Sequence, residues 1–400
     1  MIIAPKVRGF ICTTAHPVGC AKNVDNQIQY VLSQRALPHG PKKVLVIGAS
    51  TGFGLASRIV AAYAGGHAAT IGVIYEKESD GRKTASAGWY NTAGFEKRAQ
   101  EDGIYAKSFN GDAFSDDMKK RVVRAIRQDW GSVDLLIYSL ASPRRLHPKT
   151  GEVSQSVLKP IGRSYGGKSL DVINNKLVHV ELPEATQDDI DQTVNVMGGE
   201  DWTMWVDALM EENLLAEGFM SVAYSYVGPK MTKAIYRNGT IGKAKDHLER
   251  TANELTERLK KVNGRALISV NKALVTQSSS AIPFIPLYFV LLKKIMKEKN
   301  VEENCIQQIY RLFSERLYRN GEIPTDENGF VRIDDYELSP EVQSIVEKNW
   351  DMLTEENLEK MADLEGYHQD FLNLFGFDIP GVDYKKDVDP NQPIPSIKPE

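Results

Sequence analysis

Three kinds of residue in this 400-residue chain could do chemistry together: close-packed glycines, tyrosines and lysines. The glycines lie in Gly48-Ala49-Ser50-Thr51-Gly52-Phe53-Gly54. Gly48 can make a tight turn, Gly52 lets the backbone approach a pyrophosphate, and Gly54 lets a helix pack against a strand. A helix starting there offers unpaired N–H groups and a positive dipole to phosphates. That chemistry is dinucleotide binding. Tyr75-Glu76 ends the second apolar run, where an acid accepts from the adenosine ribose hydroxyls. A carboxylate there repels a 2′-phosphate and favours NADH over NADPH, an argument that the adjacent Lys77 weakens. Asp112-Ala113 follows the third run, where the acid can accept from the adenine amino group. Leu140-Ala141 follows the fourth and leaves room for a cofactor ribose.

The three-glycine spacing resembles that of the short-chain dehydrogenases/reductases. The resemblance implies a tyrosine that gives a proton and a lysine that holds the nicotinamide ribose. Such a lysine can also lower the tyrosine pKa. Three pairs have candidate spacings: Tyr226-x3-Lys230, Tyr236-x6-Lys243 and Tyr236-x8-Lys245. The x3 pair works when both residues share a helix face. Gly228 and Pro229 lie between Tyr226 and Lys230 and disfavour that helix. The helix more naturally begins after Asn238-Gly239, with Thr240 as N-cap and an extent to Val262. Ile241, Leu248, Ala252, Leu255 and Leu259 form its apolar stripe. Lys245 falls on that stripe, whereas Lys243 lies about 200° round the helix from Ile241 and faces solvent. Lys245 is therefore the choice, and Tyr236 must sit in the loop before the helix. The bland alternatives are a snorkelling lysine and a half-buried loop aromatic.

Alternating apolar runs and helical stretches must position these residues. Strands are expected at Lys43–Gly48, Thr70–Tyr75, Tyr105–Phe109, Val133–Ser139, Phe219–Tyr226 and Arg265–Val270. Helices are expected near 23–35, 53–64, 115–129, 201–217, 286–299, 301–319, 340–349 and 355–375, with a short strand pair around 330–335. The fold class is α/β: a doubly wound Rossmann-type parallel sheet with helices on both faces, enlarged by insertions and terminal extensions. It is read as one domain over 1–400. Residues 1–42 are an N-terminal extension, 78–102 and 143–199 are insertions, and 388–400 are a mobile Pro-rich tail.

Composition narrows the class. Hydrophobic residues are 42% and charged residues 26%, with a net charge of −4, so a nucleic-acid partner is not expected. Three cysteines, Cys12, Cys20 and Cys305, form no disulfide framework and fit a reducing cytoplasm. No cluster has metal-ligand spacing, so no metal is expected. The most apolar run, Ala281–Leu292, is too short for a membrane span, which needs about 20 residues.

The three-glycine spacing points to the short-chain dehydrogenase/reductase arrangement. Over nearly its whole length the chain resembles the trans-2-enoyl-CoA reductases and the related FabV-type enoyl-ACP reductases. The resemblance rests on IIAPKVRGFICTTAHPVGC, VLVIGASTGFGLASRI, AGWYNT, LLIYSLASPRR, AYSYVGP, IYRNGTIGKAKDHLE and ALVTQSSSAIP. It implies a monomeric enzyme of lipid metabolism and fatty acid biosynthesis that uses NADH to reduce the double bond of a 2-enoyl thioester. It also implies Tyr236 as proton donor, Tyr226 as a substrate contact and Lys245 as a cofactor ligand. Gly48 to Phe53, Tyr75, Glu76, Asp112, Ala113, Leu140, Ala141, Leu274, Val275 and Thr276 would line the cofactor.

Four alternatives stay open. Segment 281–299 is either an apolar lid over the acyl chain or a plain core helix. The Cα proton comes from Tyr236 or water. The carrier is CoA or acyl carrier protein, with Lys293, Lys294, Lys297 and Lys299 as a basic patch for either. A ketoreductase using Tyr226 and Lys230 on 3-ketoacyl thioesters is the main competing activity, and a nucleotide-sensing protein without turnover is another.

Overall fold

The structure, a computed structural model, describes residues 1–9, 11–277, 279 and 282–397. Seven parallel strands make the main sheet: β1 Lys43–Ile47, β2 Ala69–Ile74, β3 Ala106–Asn110, β4 Val133–Tyr138, β5 Leu215–Ser225, β6 Arg265–Val270 and β7 Val331–Arg332. Their spatial order is β7-β6-β5-β4-β1-β2-β3. The order reverses between β1 and β4, and ligands bind outside the carboxyl ends of strands at such a point.

The alternation of strand side chains builds two cores. Val44 and Val46 of β1 face one core, and Leu45 and Ile47 face the other. Helices α1 Pro17–Ser33, α2 Gly52–Tyr63 and α3 Ala87–Glu101 pack on the first face. Helices α4 Asp116–Asp129, α5 Glu200–Glu211 and α6 Thr240–Leu259 pack on the second. A third cluster forms around α7 Ile285–Glu298 and α8 Pro340–Met352, against a hairpin of Tyr165–Asp171 and Lys176–Leu182.

Several sequence expectations change. Helix α1 starts at Pro17 rather than Asn23, because His16 Nδ1 accepts from Gly19 N at 3.1 Å and Pro17 takes the first turn. Segment 78–102 is no mere insertion: α3 is the crossover that returns the chain from β2 to β3. The helix expected at 201–217 stops at Glu211, and β5 starts at Leu215. Gly239 is the N-cap of α6, and Thr240 is its first helical residue. Helix 301–319 is Cys305–Arg311 followed by a π-turn, Leu312–Leu317. The pair at 330–335 is a single strand, β7, added parallel to β6.

Within the segment expected over 281–299 as a lid or a core helix, a helix is what forms. Residue 281 lies outside the described residues, and from Ile285 the chain is a core helix buried from Ile285 to Leu292. The tail, described to residue 397, is docked. Trp89 Nε1 donates to Gln392 O at 2.7 Å, and Tyr90 Oη donates to Pro390 O at 2.7 Å. Ser396 donates twice to the buried Glu96 carboxylate, and Ile394 is buried.

Candidate active site

The glycine loop fits a dinucleotide pyrophosphate. Gly48 has φ +82°, and a Cβ there would lie 2.4 Å from Ser139 O, so the turn needs glycine. A Cβ on Gly54 would lie 1.9 Å from Gly48 O, so only glycine lets α2 start this close to the sheet. Thr51, the N-cap of α2, makes no side-chain cap, and the first turn holds no acid. Its N–H groups are left for an anion.

Glu76 comes back onto this loop. Its Oε1 accepts from Ser50 Oγ at 2.6 Å and its Oε2 from Ser86 Oγ at 2.5 Å. Burial pushes its carboxyl pKa up, and the two serines oppose that. Asn110 fixes its backbone by donating to Glu76 O at 2.9 Å and accepting from Glu76 N at 2.8 Å. Tyr75 beside it is exposed. Asp112 Oδ1 accepts from Phe114 N at 2.9 Å. The carbonyls of Ala113 and Phe114 hold Lys119 Nζ, which also pairs with the buried Asp201 at 2.7 Å. Leu140 is half-buried beside Gly48, and Ala141 is exposed. Thr276 reaches within 3.8 Å of a Cβ built on Gly52, so the Leu274-Val275-Thr276 segment borders the same loop.

Tyr236 occupies a turn before α6. Arg237 clamps that turn to the helix through Glu249 at 2.7 and 3.0 Å and Asp246 at 3.1 Å. Gly242 lets the turn lie on the first coil of α6, since a Cβ there would meet Arg237 O at 1.9 Å. Burial pushes the Tyr236 phenol up to about 12. Among the described residues its hydroxyl has no hydrogen-bond partner. Lys245 is on the buried face of α6, and its Nζ donates to Tyr224 O at 3.2 Å, at the carboxyl end of β5. Burial pulls this ammonium down to about 8. Lys243 is exposed and pairs with Asp246.

The ring of Tyr226 meets that of Tyr236 edge-on, with centroids 4.9 Å apart. Its hydroxyl donates to Glu337 Oε1 at 2.9 Å. Lys230 is exposed in a 3-10 turn beyond Gly228 and Pro229. Tyr226 and Lys230 therefore do not assemble as a pair. Glu337, Gly242 and Arg237 are the residues that sequence reasoning missed. A glycine just inside a helix start was a readable signal for Gly242, whereas Glu337 had none.

The basic patch is largely neutralised. Lys293 pairs with Glu302 and Asp370, Lys297 with Asp363, and Lys299 with Glu341. Among the described residues no helix is long and apolar enough to cross a membrane.

A parallel sheet in this order, with a glycine phosphate loop at its switch point and a buried lysine held at the carboxyl end of β5, is the architecture of a nicotinamide-dependent oxidoreductase. Comparison with known proteins narrows this. Residues 83–318 match the family model for the trans-2-enoyl-CoA reductase catalytic region, and residues 2–81 match the NAD(P)H binding domain of that enzyme. A relative from Coxiella burnetii, named enoyl-(acyl-carrier-protein) reductase (NADH), is 56% identical over 99% of this chain and 98% of its own. One of the same name from Flavobacterium johnsoniae is 58% identical over 100% of both. The structure of Treponema denticola trans-2-enoyl-CoA reductase in complex with NAD superposes with a TM-score of 0.95 at 47% identity, covering 98% of this chain and 100% of that one. The chain belongs to the trans-2-enoyl-CoA reductase family, which uses NADH.

Residues 325–388 match a model described as an enoyl reductase FAD binding domain. They do not fit a flavin dinucleotide. Their described elements are a two-residue strand and short helices, with no strand–glycine–helix unit to cradle a second pyrophosphate.

Proposed function

We propose that the protein reduces the carbon–carbon double bond of a trans-2-enoyl thioester to the saturated acyl thioester, with Tyr236 as proton donor and Lys245 as ribose ligand. NADH supplies, when bound, the hydride that adds to Cβ. The glycine loop and the α2 N-terminus hold the pyrophosphate, Glu76 the adenosine ribose, and Asp112 the adenine edge. Leu140, Ala141 and Leu274 to Thr276 close around the rest. Lys245, already fixed at the carboxyl end of β5, holds the nicotinamide ribose.

As Cβ gains its hydride, negative charge grows on the thioester oxygen. The Tyr236 hydroxyl stabilises that enolate by hydrogen bonding and then delivers the proton to Cα. A phenol near 12 is fully protonated at neutral pH, so it is always ready to donate. The observation that carries this reading is the half-buried Tyr236, whose hydroxyl has no partner among the described residues, in the turn that leads into the helix carrying the fixed Lys245. The carrier is CoA or acyl carrier protein.

We also propose a monomer in a reducing, cytoplasmic compartment. Free thiols at Cys12, Cys20 and Cys305 support the compartment. Sedimentation would check the monomer, and a dimer would end that part of the proposal. The activity is tested by following NADH absorbance with crotonyl-CoA and with acetoacetyl-CoA. Oxidation with the first alone is expected. Oxidation with acetoacetyl-CoA alone would replace this reading by ketone reduction.

A further inference from the structure

Glu337 is a carboxylate with no solvent exposure, in the loop between β7 and α8. Its Oε1 accepts from Tyr226 Oη at 2.9 Å and Tyr288 Oη at 2.7 Å. Its Oε2 accepts from Ala273 N at 2.6 Å. Gln343 Nε2 donates to the Tyr288 hydroxyl at 3.0 Å and so keeps that phenol pointed at the carboxylate. The nearest buried cation is Lys272, but its Nζ donates to Ala273 O at 3.0 Å and forms no ion pair with Glu337 among the described residues. A buried carboxylate is costly unless hydrogen-bonded. Here three donors from three distant parts of the chain are spent on one.

Two of the three partners lead into the site. Tyr226 touches the Tyr236 ring edge-on. Ala273 immediately precedes the Leu274–Thr276 segment.

We propose that Glu337 is a positioning residue for the enoyl reduction, acting through Tyr226. By accepting the Tyr226 proton it turns that hydroxyl's donor end away from the substrate. Tyr226 then offers the site an aromatic wall and a lone pair, and Tyr236 is left as the one phenol of the pair with a proton to give. The C-terminal segment thus serves the active site through a side chain. This inference rests on the reading of Tyr236 as proton donor.

The test is a double-mutant cycle of Glu337→Gln and Tyr226→Phe, assayed with NADH and crotonyl-CoA. An amide has one acceptor and one donor end. The backbone N–H of Ala273 cannot turn, so it keeps the amide oxygen, and the amide N–H₂ faces the phenols. The Tyr226 proton is then released toward the site. Glu337→Gln should lower kcat by about 10- to 100-fold, the scale of a small misplacement at a reacting centre. NADH affinity should stay within a few-fold. In the Tyr226→Phe background the same substitution should cost far less, because its target is gone.

Unchanged kcat in Glu337→Gln, or losses that simply multiply in the double variant, would overturn the proposal. If Glu337→Gln does not fold, Glu337→Asp withdraws the carboxylate by one methylene and is read by the same cycle. Tyr236→Phe, run in parallel, separates the two claims. Full activity there defeats the proton-donor reading itself, whereas a dead Tyr236→Phe with unaffected Glu337→Gln defeats the Glu337 proposal alone.

Discussion

Lys245 sits on the buried stripe of α6 with its ammonium against Tyr224 O, and burial pulls its pKa from the usual 10.5 to about 8. The folded state therefore releases this proton before the unfolded chain does. Between about pH 8 and 10.5 the unfolded chain binds more protons, so the burial penalty is full below pH 8 and fades as pH rises through that window. Lys245→Met should lose activity yet be more stable at pH 7, by about 3 kcal/mol at most. That gain should shrink toward pH 10. Urea unfolding of both proteins at pH 7 and 9.5 measures it, and a pH-independent difference would refute the assignment. Glu76, held by Ser50 and Ser86 beside the loop, should exclude a 2′-phosphate. Glu76→Ala should narrow the preference for NADH over NADPH by about tenfold or more in kcat/KM, the scale of one lost charge interaction. An unchanged ratio would remove Glu76 from that role. The places of Lys245 and Tyr236 were legible because helical periodicity separates a buried lysine from an exposed one. Glu337 was not, because its partners Tyr226, Ala273 and Tyr288 meet it only through the tertiary fold.

Strand–loop–helix elements around the glycines were readable, since each has its own apolar run and breaker. Helix α3 was not recognised as a crossover, because it reads as mixed polar and apolar while ten of its residues, Glu96 among them, are buried. Its polar members are satisfied by distant groups: Glu96 by Ser396 and by Arg58, whose Nη2 lies 3.5 Å away. Helix α7 shows the opposite case. Its apolar run was equally compatible with a lid and with a core, and in the structure it packs against α8 and the 165–182 hairpin. Leu291, with no exposure, should then behave as a core residue. Leu291→Ala should cost about 2–5 kcal/mol of stability in denaturant titration. A cost under about 1 kcal/mol would mark the helix as loosely seated.

Across the whole molecule, the last described residues return to the cofactor half and pack on α3. Such a return leaves no periodic trace in a Pro-rich tail, so the sequence reads as mobile where the fold is docked. A chain ending at Asp387 loses the acceptors of Trp89 and Tyr90, the Ser396 bonds to Glu96 and the burial of Ile394. The sum is on the order of 6 kcal/mol, from about 1 for each of the four hydrogen bonds and about 1.5–3 for a buried isoleucine. Thermal unfolding should show a lower midpoint with kcat little changed, and an unshifted midpoint would contradict the docked tail. The central claim concerns which tyrosine and lysine do the chemistry. It is tested most directly by the rate of NADH oxidation with crotonyl-CoA in Tyr236→Phe, Lys245→Met and Lys230→Ala beside the unaltered protein. The first two should collapse by about 100-fold or more, and Lys230→Ala should retain its rate. Activity surviving in Tyr236→Phe and Lys245→Met but lost in Lys230→Ala would contradict the account and move the chemistry to Tyr226.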